Sequence, residues 1–324
     1  MKFLLQWPFL QTWARPGSSI LKPVPKRRMR MLGAAVTAGL TTICLLAGLG
    51  ASKTTAAGAD TPAPTPVEYY LDLGGSASVG FQPTAARPQG QPTDTGYAND
   101  LLTIERARWR DLQLVQFGCP GETTGSFLFG GDRCRPAGQT QLAEALAFLH
   151  THSNTVLMTV DLGFNDIERC LAFRTIDPTC LTQRLALVRQ QLPEIVEALR
   201  DAGGPSLRIV GLGHYDPYLG DYIRGGGYDQ TFAEASEVAI DRLDATLRSV
   251  YAAAGIPLAE VGRAFQIDQT DPTELAGSND VPRNVARTCA LSWACTTEPR
   301  SSRQHPNNAG YQVIAQAIAA AVPA

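Results

Sequence analysis

Residues 67–78 read Val-Glu-Tyr-Tyr-Leu-Asp-Leu-Gly-Gly-Ser-Ala-Ser, an apolar run broken at once by two glycines and a serine. A short run rich in Val and Leu that stops at a Gly pair predicts a strand over 67–73 entering a tight turn. Four more runs of this kind follow, at 112–117, 155–162, 207–212 and 256–261. Between them lie longer stretches with helical periodicity, at 98–109, 139–150, 181–202 and 230–254, and a last one at 308–321. Strand and helix therefore alternate along one unbroken body. That order predicts an α/β fold, a three-layer α/β/α sandwich around a central parallel sheet, with right-handed crossovers. Ligands of such sheets bind beyond the carboxyl ends of the strands. The segments that emerge there are Gly74-Gly75-Ser76-Ala77-Ser78, Gly118-Cys119-Pro120-Gly121-Glu122-Thr123-Thr124 and Gly163-Phe164-Asn165-Asp166. His305-Pro306-Asn307 stands just ahead of the last helix.

The rest of the chain sets the compartment and excludes some partners. Of 324 residues, 28 are Lys or Arg and 30 Asp or Glu, for a formal charge of −2. Residues 1–59 hold eight of the bases and no acid, so the body carries 20 bases against 30 acids, a balance of −10. All of those 20 are Arg. An acidic body without basic clusters is a poor match for a phosphate backbone, which argues against nucleic acid. The missing Lys removes a P-loop and any Lys Schiff base. In the leader, Lys26, Arg27, Arg28 and Arg30 precede an apolar stretch over 31–50 and then Ala57-Gly58-Ala59. This is the order of a secretory signal, with cleavage expected after Ala59; the alternative is an uncleaved anchor, and either exports the body. Residues 60–66 (Asp-Thr-Pro-Ala-Pro-Thr-Pro) read as an extended tether to a domain over 67–324.

Seven cysteines are present, and Cys44 falls in the apolar leader. The other six, Cys119, Cys134, Cys170, Cys180, Cys289 and Cys295, are an even set in an exported body and point to disulfides, with 15 possible pairings. Pairing neighbours (119 with 134, 170 with 180, 289 with 295) would close short loops worth about 2 to 3 kcal/mol each in the chain-entropy model. No Cys-x-x-Cys and no His-Glu-x-x-His occurs, so neither metal nor cofactor is called for.

A serine on a glycine turn at a strand end can attack a carbonyl once a histidine takes its proton. The oxyanion then formed needs donors already in place, and the N–H groups of Ser76 and Gly121 with the Asn165 amide would supply three from three loops. Taken singly, a Gly-Gly-Ser turn is an ordinary turn and Asn-Asp an ordinary helix cap; their joint order carries the weight.

In that order the sequence resembles the SGNH hydrolases, the GDSL-type esterases and lipases, over residues 67–321. The resemblance implies a flavodoxin-like fold and places the nucleophile on Ser76, the glycine donor on Gly121, the amide donor on Asn165 within Gly163-Phe164-Asn165-Asp166, and the base on His305. Two positions depart from the family pattern: Gly75 stands for the Asp of Gly-Asp-Ser, and Ser302 for the Asp three residues before the histidine. The second removes the usual partner of the imidazole, and a carbonyl near Trp293 or the side chain of Glu298 is expected to replace it. The implied activity is that of an exported monomeric hydrolase of small-molecule or lipid esters, touching membrane only through an uncleaved leader. The competing expectation is a weakened module that binds envelope carbohydrate or lipid without turnover. His150 and His152 are assigned to a helix end, and His214 to a satisfied loop near the rim. Gly225-Gly226-Gly227 is a candidate lid.

Overall fold

In the computed structural model, the residues described are 67–324 apart from 172–173, 224–226 and 276–277. They belong to one compact unit. The leader, the tether and the glycines at 225 and 226 lie outside the described residues, and Gly227 is the first residue of a helix.

Strand β1 (Glu68–Gly74) is buried from Tyr70 onward, the pattern of a central strand covered on both faces. A hairpin follows, β2 (Gln82–Thr84) with β3 (Arg87–Gln91), and then helix α1 (Tyr97–Glu105) and strand β4 (Leu112–Gln116). Helices α2 (Thr124–Phe129) and α3 (Gln141–Thr151) lead to β5 (Thr155–Asp161). After α4 (Phe164–Glu168) comes α5 (Pro178–Gly203), followed by β6 (Arg208–Leu212), α6 (Gly227–Ala253), β7 (Leu258–Ala259) and α7 (Val261–Ala264). A second hairpin, β8 (Pro272–Leu275) with β9 (Ser278–Pro282), precedes α8 (Arg283–Leu291), α9 (Arg300–Arg303) and α10 (Asn308–Ala321).

The five main strands form one parallel sheet in the order β4-β1-β5-β6-β7. That is the flavodoxin-like order, whose switch point falls between β1 and β5. Helix α10 packs on α1, α7 and α8, while α5 packs on α3 and α6, so helices cover the sheet as outer layers. The expected α/β sandwich is the fold found.

Local chemistry explains where elements begin. Helix α5 starts three residues ahead of the expected 181 because Asp177 accepts hydrogen bonds from the N–H groups of Thr179 (2.9 Å) and Cys180 (3.0 Å), with Pro178 at the first helical position. Its buried Leu181, Leu185, Val188, Leu192, Ile195 and Leu199 recur every three to four residues and face the core. The strand expected over 256–261 shrinks to two residues, since Val261 already opens α7. The six body cysteines form three disulfides, Cys119–Cys134, Cys170–Cys180 and Cys289–Cys295. Among the described residues no helix is long and apolar enough to cross a membrane.

Candidate active site

Gly74 ends β1 with φ +137°, and a Cβ there would lie 2.3 Å from the carbonyl oxygen of Asp161 on β5. Only glycine allows the chain to cross the neighbouring strand so closely. The turn that follows is closed by Gly80 N–H to Ala77 O (3.0 Å), Phe81 N–H to Ser76 O (3.1 Å) and the Ser78 hydroxyl to Gly75 O (2.8 Å). It leaves Ser76 half-buried on the wall of a cavity of about 500 Å³.

His305 reaches the same cavity from the other end of the chain. Asn307 caps α10 by accepting from Gly310 N–H (3.1 Å) and donates its amide to Ala290 O (2.9 Å), which fixes the two residues before it. The His305 Nε2 then lies 2.8 Å from Ser76 Oγ across 229 residues of sequence. With the serine hydroxyl donating to Nε2, the proton of the neutral ring sits on Nδ1. That nitrogen is buried and makes no hydrogen bond of ordinary geometry among the described residues. Neither expected substitute for the acid bonds to it. Trp293 instead gives its backbone N–H to the His305 carbonyl (3.0 Å), and its own carbonyl accepts from Thr296. The carbonyls of Ser301 and Ser302 are the groups that favour the charged ring, but burial outweighs them and pulls the His305 pKa down to about 4. The value of 6.5 for an unperturbed imidazole does not apply here.

The absent acid has a structural counterpart. Ser302 is fully buried, and its hydroxyl donates to Pro88 O on β3 (2.5 Å), while Ser301 donates to Gln89 O (2.9 Å). At the other departure, a Cβ on Gly75 would lie 2.8 Å from the Asn165 amide nitrogen, so glycine lets that amide close over the turn.

The expected oxyanion donors meet on the same wall: Ser76, Gly121 and Asn165 all line the cavity. Gly121 has φ +87° with open space where a Cβ would be, and a non-glycine residue would be strained in this turn. Asn165 Nδ2 donates one N–H to Glu122 O (3.0 Å), which ties the amide to the Gly121 loop and leaves its second N–H. Asp166 holds that loop from the other side by accepting from Thr124 N–H (3.0 Å) and the Thr124 hydroxyl (2.6 Å).

A residue that sequence reasoning missed joins these pieces. Gln141 accepts from Gly74 N–H (2.6 Å) and donates to Gly74 O (3.1 Å) and to the Glu122 carboxylate (2.8 Å). Glu122 is itself buried, which raises its pKa, and takes the Ser126 hydroxyl (2.5 Å) with Arg135 at 3.5 Å. One buried amide thus couples the serine turn to the glycine loop. No signal marked Gln141, because a polar residue opening a helix reads as surface.

His214 also lines the cavity. It stands 3.9 Å from Asp161, and its Nε2 is 3.2 Å from Leu162 O, so it is satisfied and also faces the site. His152 stacks on Phe148 at the end of α3 (4.0 Å), and His150 is exposed on the same helix. Among the described residues, one metal-like group occurs, Cys119, Asp132 and Cys134, and both of its sulfurs are spent in a disulfide.

A serine hydroxyl on an imidazole at the switch point of this sheet defines the class: the fold is that of the SGNH hydrolases. The chain belongs to the GDSL-like lipase/acylhydrolase family, whose sequence profile matches residues 73–313. An extracellular lipase of Streptomyces rimosus superposes with a TM-score of 0.50 at 20% identity, over 79% of this chain and all of that one. Also similar are phospholipase A1 of Streptomyces albidoflavus (TM-score 0.46, 17% identity, 79% of this chain and 100% of that one) and a carbohydrate acetylesterase of Sinorhizobium meliloti (TM-score 0.45, 13% identity, 78% and 97%). No functionally curated protein matches the chain.

Proposed function

We propose that this chain is an exported serine hydrolase of carboxylic esters that works through an acyl-enzyme on Ser76. The observation that carries the reading is the 2.8 Å contact between Ser76 Oγ and His305 Nε2 on a cavity that Gly121 and Asn165 also line. As Ser76 Oγ bonds to the ester carbonyl carbon, its proton passes to Nε2, and the carbonyl oxygen becomes an oxyanion held by Ser76 N–H, Gly121 N–H and the second Asn165 N–H. The tetrahedral intermediate collapses by breaking the bond to the alkoxy oxygen, which leaves with the proton from His305. Water repeats the sequence on the acyl-Ser76 ester and releases the acid.

Family membership supports ester hydrolysis as the chemistry, and three disulfides support export. The cavity combines aromatic walls (Phe81, Phe164, Tyr215) with polar ones (Thr123, Ser126, Gln304), which fits a short acyl group with a polar alcohol better than a long chain. One observation favours the competing module that binds without turnover: His305 Nδ1 has no carboxylate to stabilise an imidazolium. Fluorophosphonate labelling and hydrolysis of p-nitrophenyl acetate, butyrate and octanoate by the body and by Ser76→Ala separate the two. Labelling that Ser76→Ala abolishes, with turnover falling at least about a thousandfold, is expected. No labelling and no turnover in the intact chain would end the hydrolase reading.

A further inference from the structure

A second cavity of about 270 Å³ adjoins the first and shares the wall made by Pro217 and Gln304. Gln304 directly precedes His305, so the shared wall lies beside the proposed base. Among the described residues, Arg174, Arg300 and Arg303 line this second cavity with Asp221, and the carboxylates of Glu168 and Asp216 act through space on Tyr218 in its wall. Three arginines thus gather at one recess in a body whose balance is −10. Arg303 is half-buried, and its Nε is sealed from solvent with no acceptor among the described residues. A ligand in the cavity would therefore meet the terminal N–H groups of the Arg303 fork rather than Nε. Tyr218 adds a hydroxyl that receives an N–H from Gln304 (3.0 Å) and keeps its own proton to give. Arg174 holds a left-handed backbone (φ +58°), uncommon for a non-glycine residue.

Resting on the ester-hydrolase reading above, we infer that Arg174, Arg300 and Arg303 form a subsite for an oxyanion, a phosphate or carboxylate group carried by the ester substrate. Guanidinium forks match both anions in a bidentate geometry. A recess between walls also screens their charge less than open solvent does. The ester would sit at Ser76 and the anionic group of the same molecule beyond Gln304. The subsite then sets specificity, and the lines of its chemistry are planar or tetrahedral oxygen acceptors against Arg nitrogens and the Tyr218 hydroxyl.

The test uses the full chain and two matched substrate pairs: 1-butyrylglycerol against 1-butyrylglycerol 3-phosphate, and a 3-O-acetylglucoside against the corresponding 3-O-acetylglucuronide. Wild type should favour the charged member of at least one pair in kcat/KM. Arg300→Gln/Arg303→Gln should reduce that preference by about tenfold or more, the size expected for charge-assisted bonds. Arg300→Gln alone, at an exposed position, should give a smaller loss in the same direction. Arg242→Gln, on exposed α6 surface outside both cavities, serves as the control for net charge and should leave the preference unchanged. A preference for the phosphate pair identifies a phosphorylated alcohol, and one for the glucuronide an acidic sugar. Calorimetric binding of glycerol 3-phosphate and of glucuronate to Ser76→Ala, with and without the two Arg substitutions, reads the subsite without catalysis. Loss of binding in the Arg variants with no ester turnover in wild type would overturn the hydrolase and keep the subsite. Turnover of both members at equal kcat/KM, or an equal fall for charged and neutral esters in the Arg variants, would overturn the subsite and keep the hydrolase.

Discussion

Burial of His305 without a carboxylate should move the acid limb of the pH–rate profile well below that of an ordinary imidazole. The proposed base works only when neutral, and the structure puts its pKa at about 4 against 6.5 for a free histidine. At pH 5 a base of pKa about 4 is roughly nine-tenths neutral, whereas one of pKa 6.5 is only about 3% neutral, so the two cases differ about thirtyfold in kcat/KM. The assay is initial-rate hydrolysis of p-nitrophenyl acetate from pH 3.5 to 8 at constant ionic strength, with kcat/KM reporting the free enzyme. Stability is the poorer readout. Because the His305 pKa is depressed, the unfolded chain binds a proton below about 6.5 that the native site refuses until about 4, so the native state loses stability as pH falls through that window. Asp216 and Asp244 are pushed up by burial to about 7 and about 6, so they stabilise the native state as pH falls over much of the same range and mask the effect. An acid limb of kcat/KM centred near 6.5 would refute the reasoning and would mean that a carboxylate or water reaches Nδ1.

Three further substitutions probe the site. Asn165→Ala should lower kcat about 10² to 10³-fold with little change in KM, measured on the same ester, since it removes one of the proposed oxyanion donors. Gln141→Leu should cost about 2 to 4 kcal/mol by leaving Gly74 N–H and the Glu122 carboxylate unpaired, seen as a fall of several degrees in Tm together with a lower kcat. Ser302→Asp, which restores the residue usual in the family, should lower Tm and leave kcat no higher, because its carboxylate would meet the Pro88 carbonyl; a rise in kcat of tenfold or more would refute this.

What could be read from the chain beforehand follows from how local each signal is. The strand ahead of Ser76 announces itself through a Val- and Leu-rich run and a Gly pair, and Gly163-Phe164-Asn165-Asp166 and His305-Pro306-Asn307 through fixed spacing. Hairpin β2–β3 gives no such signal: Gln-Pro-Thr and Arg-Pro-Gln-Gly-Gln are polar and contain Pro and Gly, and their pairing depends on tertiary contacts. Asp177 followed by Pro is a readable cap, but it lies outside the apolar period, which begins only at Leu181. Gln141 and the neighbours of His305 Nδ1 are set by contacts across many residues, which spacing along the chain does not encode.

The hairpin that was illegible is also what answers for the missing acid. Besides the ties from Ser301 and Ser302, Gln82 donates to the Asn308 side chain (2.8 Å), Tyr311 donates to Phe81 O (2.7 Å), and the Phe81 ring lies 4.7 Å from that of His305. His305 is therefore clamped between a packed ring and a braced turn. A family acid orients the imidazole and also stabilises its charged form. Here packing takes over the first task, and only carbonyl dipoles serve the second. Position 302 cannot serve both arrangements, because its one side chain either faces Pro88 and anchors the hairpin or turns to the ring and releases it. Orientation with only this weak charge stabilisation favours the neutral base, the form that would begin the proposed reaction, and weakens the imidazolium that would form in its transition state. The chain should then combine a wide acid tolerance with a modest maximal rate, two properties that arise from the same serine.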